Sequence, residues 1–441
     1  MRKMDHFVTR FGDSRPSGAV SAVLEDSIMV KGYPATAGSK MLENFISPLD
    51  ATVVTRLKEA GVNILGKTKM DEFGVAGLFG TSEEGASGAV NAVCDGDAIS
   101  AGDAFCVTDA ISAGKTAIGS AGFALCNDIT GAVTRQAVRR GLCYIRPTYG
   151  TVSRYGLIPA AASMDQIGIV CKNPEEGFRV LSIISGNDPK DGAMFSEEQP
   201  VYGDGLRAAG SGSGGPGTSQ APFSATKTAK DVRSEPSRAE GLPPMGSLRI
   251  AIPANIFESS PDADAVREFA KNFDTVDITL PFFNVYAQVM QILCSAEISS
   301  NLTRYDGIKF GYRTDDFRDL RELYTKSRTE ALGPEAKLAA IVGAMVVSQD
   351  KYYKFYDKAM RIRRLIKDSL KFDEYDIIII PDSARSLALH ALPLLCGLPA
   401  VTLPLGENGS ITLIAGARRE KTLYNLLSRN ALQEGRSISE I

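Results

Sequence analysis

Residues 39–74 read SKMLENFISPLDATVVTRLKEAGVNILGKTKMDEFG, and they contain one complete helix–strand unit. Asp50 is a good N-cap for the helix that ATVVTRLKEAG predicts, and Gly61 is placed to end that helix. VNILGK follows as a short apolar run, which predicts a buried strand. A helix that leads directly into a buried strand is typical of α/β proteins.

Helix and strand patterns alternate along the rest of the chain. PEEGFRVLSIISG predicts a helix with glutamates in its first turn, where their negative charges interact favourably with the positive end of the helix dipole. Further on, DADAVREFAKNF predicts a helix, and two long helical patterns lie near 317–331 and 335–370. Buried strands are predicted at LRIAIP, DIIIIP, GLPAVTLPLG and SITLIAG. The alternation predicts an α/β protein with a central mixed β-sheet flanked by helices.

Residues 203–246 differ in composition from the rest of the chain. Gly, Ser, Pro, Ala and Thr dominate there, and large apolar residues are almost missing. Such a segment cannot bury enough surface to offset the entropy of ordering, so a flexible insert is predicted. The predicted organisation is an N-terminal tail (1–27), the first part of one large domain (28–202), the insert (203–246) and the second part (247–441).

The bulk composition gives no support to several classes of function. The chain has 441 residues and a formal net charge of −3, which gives no general attraction to nucleic acid. Seven scattered cysteines without a CxxC pair predict reduced thiols and no zinc site. Two isolated histidines, His6 and His390, argue against serine–histidine–aspartate chemistry. The sequence shows neither a membrane-spanning run nor a secretory signal, so a cytoplasmic protein is predicted.

Three segments together resemble the amidase-signature family, and within it the A subunits of tRNA-dependent amidotransferases. The first is the 39–74 stretch, and the second is RPTYGTVSRYGLIPAAASMDQIGIV (146–170) with its sequel GNDPKDG. The third is SSNLTRYDGIKFGYR (299–313), which continues through ELYTKSRTEALG and DKYYKFYDKAMRIRRLIK. The resemblance covers most of the chain outside residues 86–130 and 203–246. It implies a single large α/β domain with a twisted mixed β-sheet flanked by helices.

The resemblance also implies a chemistry. In the family, a lysine acts through a second serine, held in a cis peptide, on a nucleophilic serine that cleaves an amide. In the A subunits this reaction releases ammonia from glutamine. A B subunit uses the ammonia with ATP to amidate Glu-tRNA(Gln) or Asp-tRNA(Asn), and a small C subunit wraps both.

DITGAVTRQ (128–136) resembles the family's nucleophile segment D-T-G-G-S-I-R-Q, with one additional residue. Matching residues, implied to line the substrate site, are Asp128, Gly131, Arg135 and Gln136.

The serine position within this segment falls on Ala132, or on Val133 if the gap is moved. Neither side chain can attack a carbonyl carbon. Thr130 and Thr134 flank the position and are candidate substitutes, although a shift by one or two residues would displace the attacking oxygen by several ångströms.

The other two catalytic positions are also altered. The lysine normally lies in a strand-end motif V-K-D-N-hydrophobic upstream of SKML, and Lys31 is the candidate for it, without the Asp-Asn pair. The cis-serine position, matched through AISAG (110–114), falls on Asp103. If Asp103 approaches Lys31, its charge would keep the lysine protonated and unable to act as a base.

The substrate pocket shows similar losses. A segment like V-K-R-R-I-x-L-G-T normally supplies a basic pair, and AKLAAIVGA keeps only Lys337 of it. Arg304 and Tyr305 persist in TRYDGIKFGYR as candidate substrate-binding residues, with bracing of the fold as the alternative role. No metal site is predicted.

Four functions remain open on the sequence. The first is a catalytically inactive scaffold or regulatory subunit, and the second is an active amidase or glutaminase with a rewired hydroxyl. The third is a ligand-binding module without turnover, and the fourth is a decaying gene product that folds poorly. The resemblance implies B-like and C-like subunits, or an intact A-like paralogue, as partners. ATP and Mg are expected on a B-like partner, with no cofactor on this chain.

Overall fold

The run Ile377–Pro381 shows how the chain builds its core. Ile378 and Ile380 contact one apolar cluster, while Ile377 and Ile379 contact another on the opposite side of the strand. Because successive side chains of a strand point to opposite faces, a continuous apolar run belongs to a strand that is covered on both faces. The computed structural model describes residues 7–11, 20–79, 122–196, 248–257, 263–381, 387–405 and 409–433.

In these ranges the strands form one 11-stranded mixed sheet, ordered β1-β3-β2-β4-β6-β5-β10-β11-β9-β7-β8. The strands are β1 (Phe7–Arg10), β2 (Ser21–Glu25), β3 (Asn63–Thr68), β4 (Phe123–Asn127), β5 (Cys143–Arg146), β6 (Ile167–Cys171), β7 (Arg249–Pro253), β8 (Asp274–Ile278), β9 (Ile377–Pro381), β10 (Ala400–Leu405) and β11 (Gly409–Ala415). β2 is parallel to both β3 and β4, whereas β6 is antiparallel to β4 and β5. The carboxyl ends of β2, β4 and β5 therefore lie at the same edge of the sheet.

Helices cover both faces of the sheet. They are α1 (Thr52–Glu59), α2 (Ala132–Arg139), α3 (Pro174–Ile184), α4 (Ala254–Phe257), α5 (Ala263–Ala270), α6 (Tyr286–Leu302), α7 (Leu320–Ala331), α8 (Pro334–Val346), α9 (Tyr356–Asp368), α10 (Leu387–Cys396) and α11 (Glu420–Gln433). One apolar cluster includes α6, α8 and α10, and the other includes α1, α3 and α11. None of the described helices combines the length and the apolar character that a membrane crossing requires.

The predicted α/β fold with a mixed sheet and flanking helices is confirmed, with differences in detail. Residues 1–27 were predicted as a tail, yet β1 and β2 lie in that range and pair with β3. The helix pattern at 335–370 is two helices, α8 and α9. The predicted insert, residues 203–246, lies outside the described residues.

The N-cap of α1 is also different from the prediction. Ala51 occupies that position without a side-chain cap, while Asp50 accepts a hydrogen bond from the Lys31 amide at 2.8 Å and pairs with Lys58.

The cysteines and His390 follow the prediction. Five cysteines fall in the described ranges, and all five are buried free thiols: Cys126, Cys143, Cys171, Cys294 and Cys396. His390 is buried in α10, as expected for a packed histidine.

Candidate functional site

The turn between β4 and α2 holds the segment predicted to contain the nucleophile. Gly131 adopts a left-handed conformation (φ 76°) just before α2. Asp128 stabilises the start of the helix, since its Oδ2 accepts from the amide of Thr134 at 2.9 Å and from the Thr134 hydroxyl at 2.6 Å. Arg146 at the end of β5 donates from Nη2 to the Asp128 carbonyl at 2.6 Å. The Asp128 side chain and the Arg146 side chain from β5 therefore hold the backbone of this turn in place.

Ala132 is the first residue of α2 and is partly exposed. The amino end of a helix favours an attacking or developing anion, and this is a suitable place for a nucleophile. The side chain at this place is a methyl group, which has no lone pair. Just before it, a Cβ atom on Gly131 would lie 2.5 Å from Cγ of His390, so the turn is tightly packed against α10.

The two threonines beside Ala132 are both buried, with exposures of 1% for Thr130 and 2% for Thr134. The Thr134 hydroxyl faces the Asp128 carboxylate, which also holds the helix amide. The Thr130 carbonyl accepts from Nη1 of Arg135 at 3.0 Å. Thr134 thus takes part in the helix cap, and its side chain is buried there.

Glu25, which was not predicted as a site residue, lies at the carboxyl end of β2 beside this turn. Its Oε2 accepts from the Asn127 amide at 2.9 Å, and its Oε1 accepts from the Ser27 hydroxyl at 2.7 Å. The side chain is 2% exposed, and burial raises its pKa to about 8; Asp71 and Asp128 act in the same direction, against the two hydrogen bonds.

The sequence did contain a signal for Glu25. The run VLEDSI (23–28) keeps the aspartate and the final hydrophobic residue of the strand-end motif, with Glu25 immediately before Asp26. Because the motif is recognised by its lysine, a glutamate in that place gave no match. Lys31, the candidate for the motif's lysine, instead lies exposed in the loop after β2, where its amide donates to Asp50.

A buried lysine does lie near Glu25, but it belongs to the framework. Lys67 on β3 is fully buried, and its Nζ contacts Oδ1 of Asp26 at 2.9 Å. The same atom donates to the carbonyls of Asp26 at 2.9 Å and Pro34 at 2.6 Å. Burial lowers the pKa of Lys67, while Asp26 acts in the opposite direction. Two hydrogen bonds to backbone carbonyls and one ion pair to Asp26 therefore hold the Lys67 ammonium in the framework.

The remaining predicted site residues lie in several places. Gln136 accepts from Arg140 one turn along α2, at 3.2 Å. Tyr305 is buried and stacks on Phe73, with ring centroids 5.5 Å apart, which supports the bracing role. Arg304 is exposed and donates to Asn301 at 2.7 Å.

The last two predicted residues are Lys337 and Asp103. Lys337 donates to the Thr329 carbonyl at 2.7 Å. Asp103 lies outside the described residues, as does its predicted contact with Lys31. The structure thus gathers the segment around Asp128 and Ala132 and adds Glu25 to it, but leaves Lys31 and Arg304 elsewhere. In the ranges that the structure describes, no group of three His, Cys, Asp or Glu side chains is arranged to hold a metal ion.

Comparison with known proteins agrees with this arrangement. The family model described as Amidase matches residues 18–204 and 223–393. The chain belongs to the amidase family. Its match begins before residue 28, in agreement with the position of β2 in the sheet.

Among curated proteins, this amidase-family chain is similar to A subunits of glutamyl-tRNA(Gln) amidotransferase. It is 36% identical over 425 residues to the A subunit of glutamyl-tRNA(Gln) amidotransferase from Lachnoclostridium phytofermentans, covering 90% of this chain and 77% of the relative. It is 35% identical over 382 residues to the protein of the same name from Cupriavidus metallidurans, covering 84% and 70%. The predicted resemblance to the A subunits is therefore confirmed.

Solved structures show the same fold. The A subunit of glutamyl-tRNA(Gln) amidotransferase from Thermotoga maritima matches with a TM-score of 0.64 and 23% identity, covering 95% of this chain and 85% of that one. The peptide amidase of Stenotrophomonas maltophilia matches with a TM-score of 0.64 and 20% identity, covering 95% and 83%.

Proposed function

We propose that this amidase-family chain is a catalytically inactive scaffold or regulatory subunit. One observation carries the proposal: the first residue of α2, at the matched nucleophile position, is Ala132 in a turn that is otherwise well ordered. A serine hydroxyl is the atom that attacks the amide in this family's reaction, and a methyl group cannot replace it.

Glu25 supports the same proposal. We assign it to the strand-end position of the family's lysine, since it ends β2 and precedes Asp26. That lysine must lose and regain a proton as a base, whereas Glu25 is neutral over much of the range up to its pKa of about 8. Both of its oxygens are also engaged by Ser27 and Asn127. The base and the nucleophile are therefore altered together.

The alternative function is an active amidase or glutaminase that uses a different hydroxyl, and Thr134 is its candidate. An aspartate 2.6 Å from a hydroxyl is a plausible activating pair. However, the same Asp128 oxygen accepts the Thr134 amide, and the threonine is buried. These contacts favour a capping role for Thr134.

The proposed setting is a cytoplasmic multisubunit assembly. The relatives are named as subunits of an amidotransferase, so B-like and C-like chains, or an intact A-like paralogue, are the proposed partners. ATP and Mg would then bind a B-like partner.

Ammonia release from glutamine, and from simple amides, tests this proposal. The purified chain would be assayed alone and with its nearest B-like and C-like subunits, which are also expected to co-purify with it. No turnover above background is expected in any combination. Turnover that disappears in Thr134→Val, which keeps the shape but lacks the hydroxyl, would establish the alternative instead. Thr55→Val, on the exposed surface of α1, is the matched control.

A further inference from the structure

A cavity lies between α9, the carboxyl end of α10 and the loops that follow β5 and β11. Its volume is about 420 Å³. It shares no residue with the turn around Ala132, so it does not depend on the proposed function. We call it the α9 pocket and define it by Tyr149, Phe195, Arg363, Arg364, Lys367 and Gly397.

The α9 pocket is strongly basic. Arg363, Arg364 and Lys367 all line it from α9, and none of its lining residues in the described ranges is an aspartate or glutamate. The chain as a whole has a net charge of −3, so this grouping departs from the average of the molecule. Clefts that are lined by one sign of charge concentrate ions of the opposite sign.

The direct hydrogen bonds of Arg363 are all to uncharged acceptors. Its Nε donates to the Leu395 carbonyl at 2.7 Å, and its Nη1 donates to the Ser163 hydroxyl at 3.1 Å. These acceptors are neutral, so they orient the guanidinium without compensating it. The Glu297 carboxylate accepts from both the amide and the hydroxyl of Ser163, so Ser163 lies between it and Arg363.

Within the described ranges, Arg364 and Lys367 differ in whether an acidic side chain pairs with them. Arg364 pairs at 2.7 Å with Asp368 on the exposed side of α9, with both side chains at least half exposed. An exposed pair of this kind contributes little and exchanges readily for another anion. Lys367 is exposed and projects from the same helix. Arg363 and Lys367 thus supply two positive charges that an anion would meet directly.

Two aromatic rings, Tyr149 and Phe195, contribute to the apolar lining of the α9 pocket. Tyr149 is held by a bond from its hydroxyl to the Ala162 carbonyl at 2.9 Å, with the Arg154 guanidinium 4.8 Å from its ring centre. The Arg418 guanidinium lies 5.0 Å from the ring centre of Phe195. Because neighbours already hold both rings, a flat ligand would lose little energy in ordering them.

Gly397 keeps this space open. It has a φ of 66°, and a Cβ atom there would lie 3.1 Å from Cβ of Tyr149. Its carbonyl accepts from the Tyr149 amide at 3.2 Å, which fixes the distance between the end of α10 and the ring.

We propose that the α9 pocket binds a small organic anion with a flat ring, of the nucleoside monophosphate class. The phosphate group would lie against Arg363 and Lys367, and the ring would lie against Phe195 and Tyr149. The volume is within the range of small-ligand sites, near its lower end. A magnesium-bound triphosphate is disfavoured, since Mg²⁺ is normally held through carboxylates and the described lining provides none.

Isothermal titration calorimetry of the full chain with adenosine monophosphate, adenosine and inorganic phosphate tests this proposal. Adenosine monophosphate is expected to bind with a Kd of about 1 mM or below and more weakly at high salt, while adenosine and phosphate each bind at least about tenfold more weakly. Equal binding of adenosine would contradict the role of the cations, and equal binding of phosphate would contradict the role of the rings.

Charge reversal on α9 provides the matched comparison. Lys367→Glu is expected to weaken binding of adenosine monophosphate by about tenfold or more. Lys358→Glu makes the same change at an exposed position of the same helix, outside the described lining of the pocket, and should leave binding unchanged. Failure of adenosine monophosphate to bind, or equal effects of the two variants, would overturn the proposal.

Discussion

Glu25 shows how one buried side chain can report on the altered site. Its carboxyl group lies in the interior with its pKa raised to about 8 from 4.5, chiefly because burial disfavours the charged form. The unfolded chain ionises this group near its ordinary pKa, so the folded state binds more protons between these two values. Stability from this group is therefore complete below about pH 4.5 and is lost as the pH rises towards 8.

Glu25→Gln should remove this dependence. The difference between the two pKa values corresponds to roughly 5 kcal/mol of unfolding free energy over that interval. Urea unfolding of both proteins at several pH values would show a steeper loss in the wild type than in the variant. Glu43→Gln, at an exposed position, is the control and should follow the wild type. Parallel curves for Glu25→Gln and the wild type would show that Glu25 is ionised in the folded chain.

Gly131 is the second residue with a measurable consequence. Gly131→Ala places a methyl group 2.5 Å from the His390 ring in a left-handed conformation, and is expected to lower the unfolding free energy by about 2–4 kcal/mol. Gly141→Ala has a similar φ of 69° with no atom within 4 Å, so it isolates the backbone cost of about 1–2 kcal/mol. Chemical denaturation measures both, and equal losses would contradict the packing of the turn against α10.

Single residues also show how far the sequence alone predicts the site. The sequence predicts Ala132 at the nucleophile position because its neighbours Asp128 and Gly131 match the family segment in order. Glu25, which we propose for the lysine's position, was not predicted, because the motif is recognised by its lysine. Glu25 is buried and Lys31 is exposed, and this difference is what favours Glu25 as the residue of the site. The burial of Glu25 results from the pairing of β2 with β3 and β4, and this pairing cannot be read from one sequence.

Among the secondary-structure elements, the packing of α8 on α6 is tightly constrained. Gly343 in α8 faces α6, and a Cβ atom there would lie 1.9 Å from the Ser295 carbonyl oxygen and 2.5 Å from Cβ of Ser299. Glycine ordinarily weakens a helix interior, so its presence here is explained by the close approach of two backbones.

Gly343→Ala is therefore expected to destabilise the chain by about 3 kcal/mol or more, although alanine is the better helix former. Gly192→Ala, on an exposed loop with no atom within 4 Å, should change the unfolding free energy by less than about 1 kcal/mol. Thermal unfolding compares the two. A Gly343→Ala protein as stable as the wild type would mean that α6 and α8 can separate without loss.

Several elements were predictable because their patterns are local. The helix at Pro174–Ile184 and the strand at Ile377–Pro381 follow from apolar spacing and from their flanking residues. The break between α8 and α9 was not predicted. There the Ser348 hydroxyl donates to the Met345 carbonyl at 2.7 Å, and such local side-chain bonds compete with helix continuation.

The chain as a whole combines an intact framework with an altered site. In the described ranges the framework consists of the 11-stranded sheet, the buried Lys67–Asp26 pair and apolar clusters on both faces. The predicted nucleophile position, Ala132, carries a methyl group, and the end of β2 carries the buried carboxyl group of Glu25. We therefore expect a folded protein without an activated hydroxyl.

Covalent labelling tests this expectation most directly, because it reports on every hydroxyl of the chain, including residues outside the described ranges. The purified chain would be incubated with a fluorophosphonate, which reacts with activated serine and threonine hydroxyls, and its intact mass recorded beside a heat-unfolded sample. No stoichiometric adduct is predicted on the folded chain. A single adduct per chain that forms only on the folded protein would contradict the inactive assignment, and peptide mapping of that adduct would identify the nucleophile.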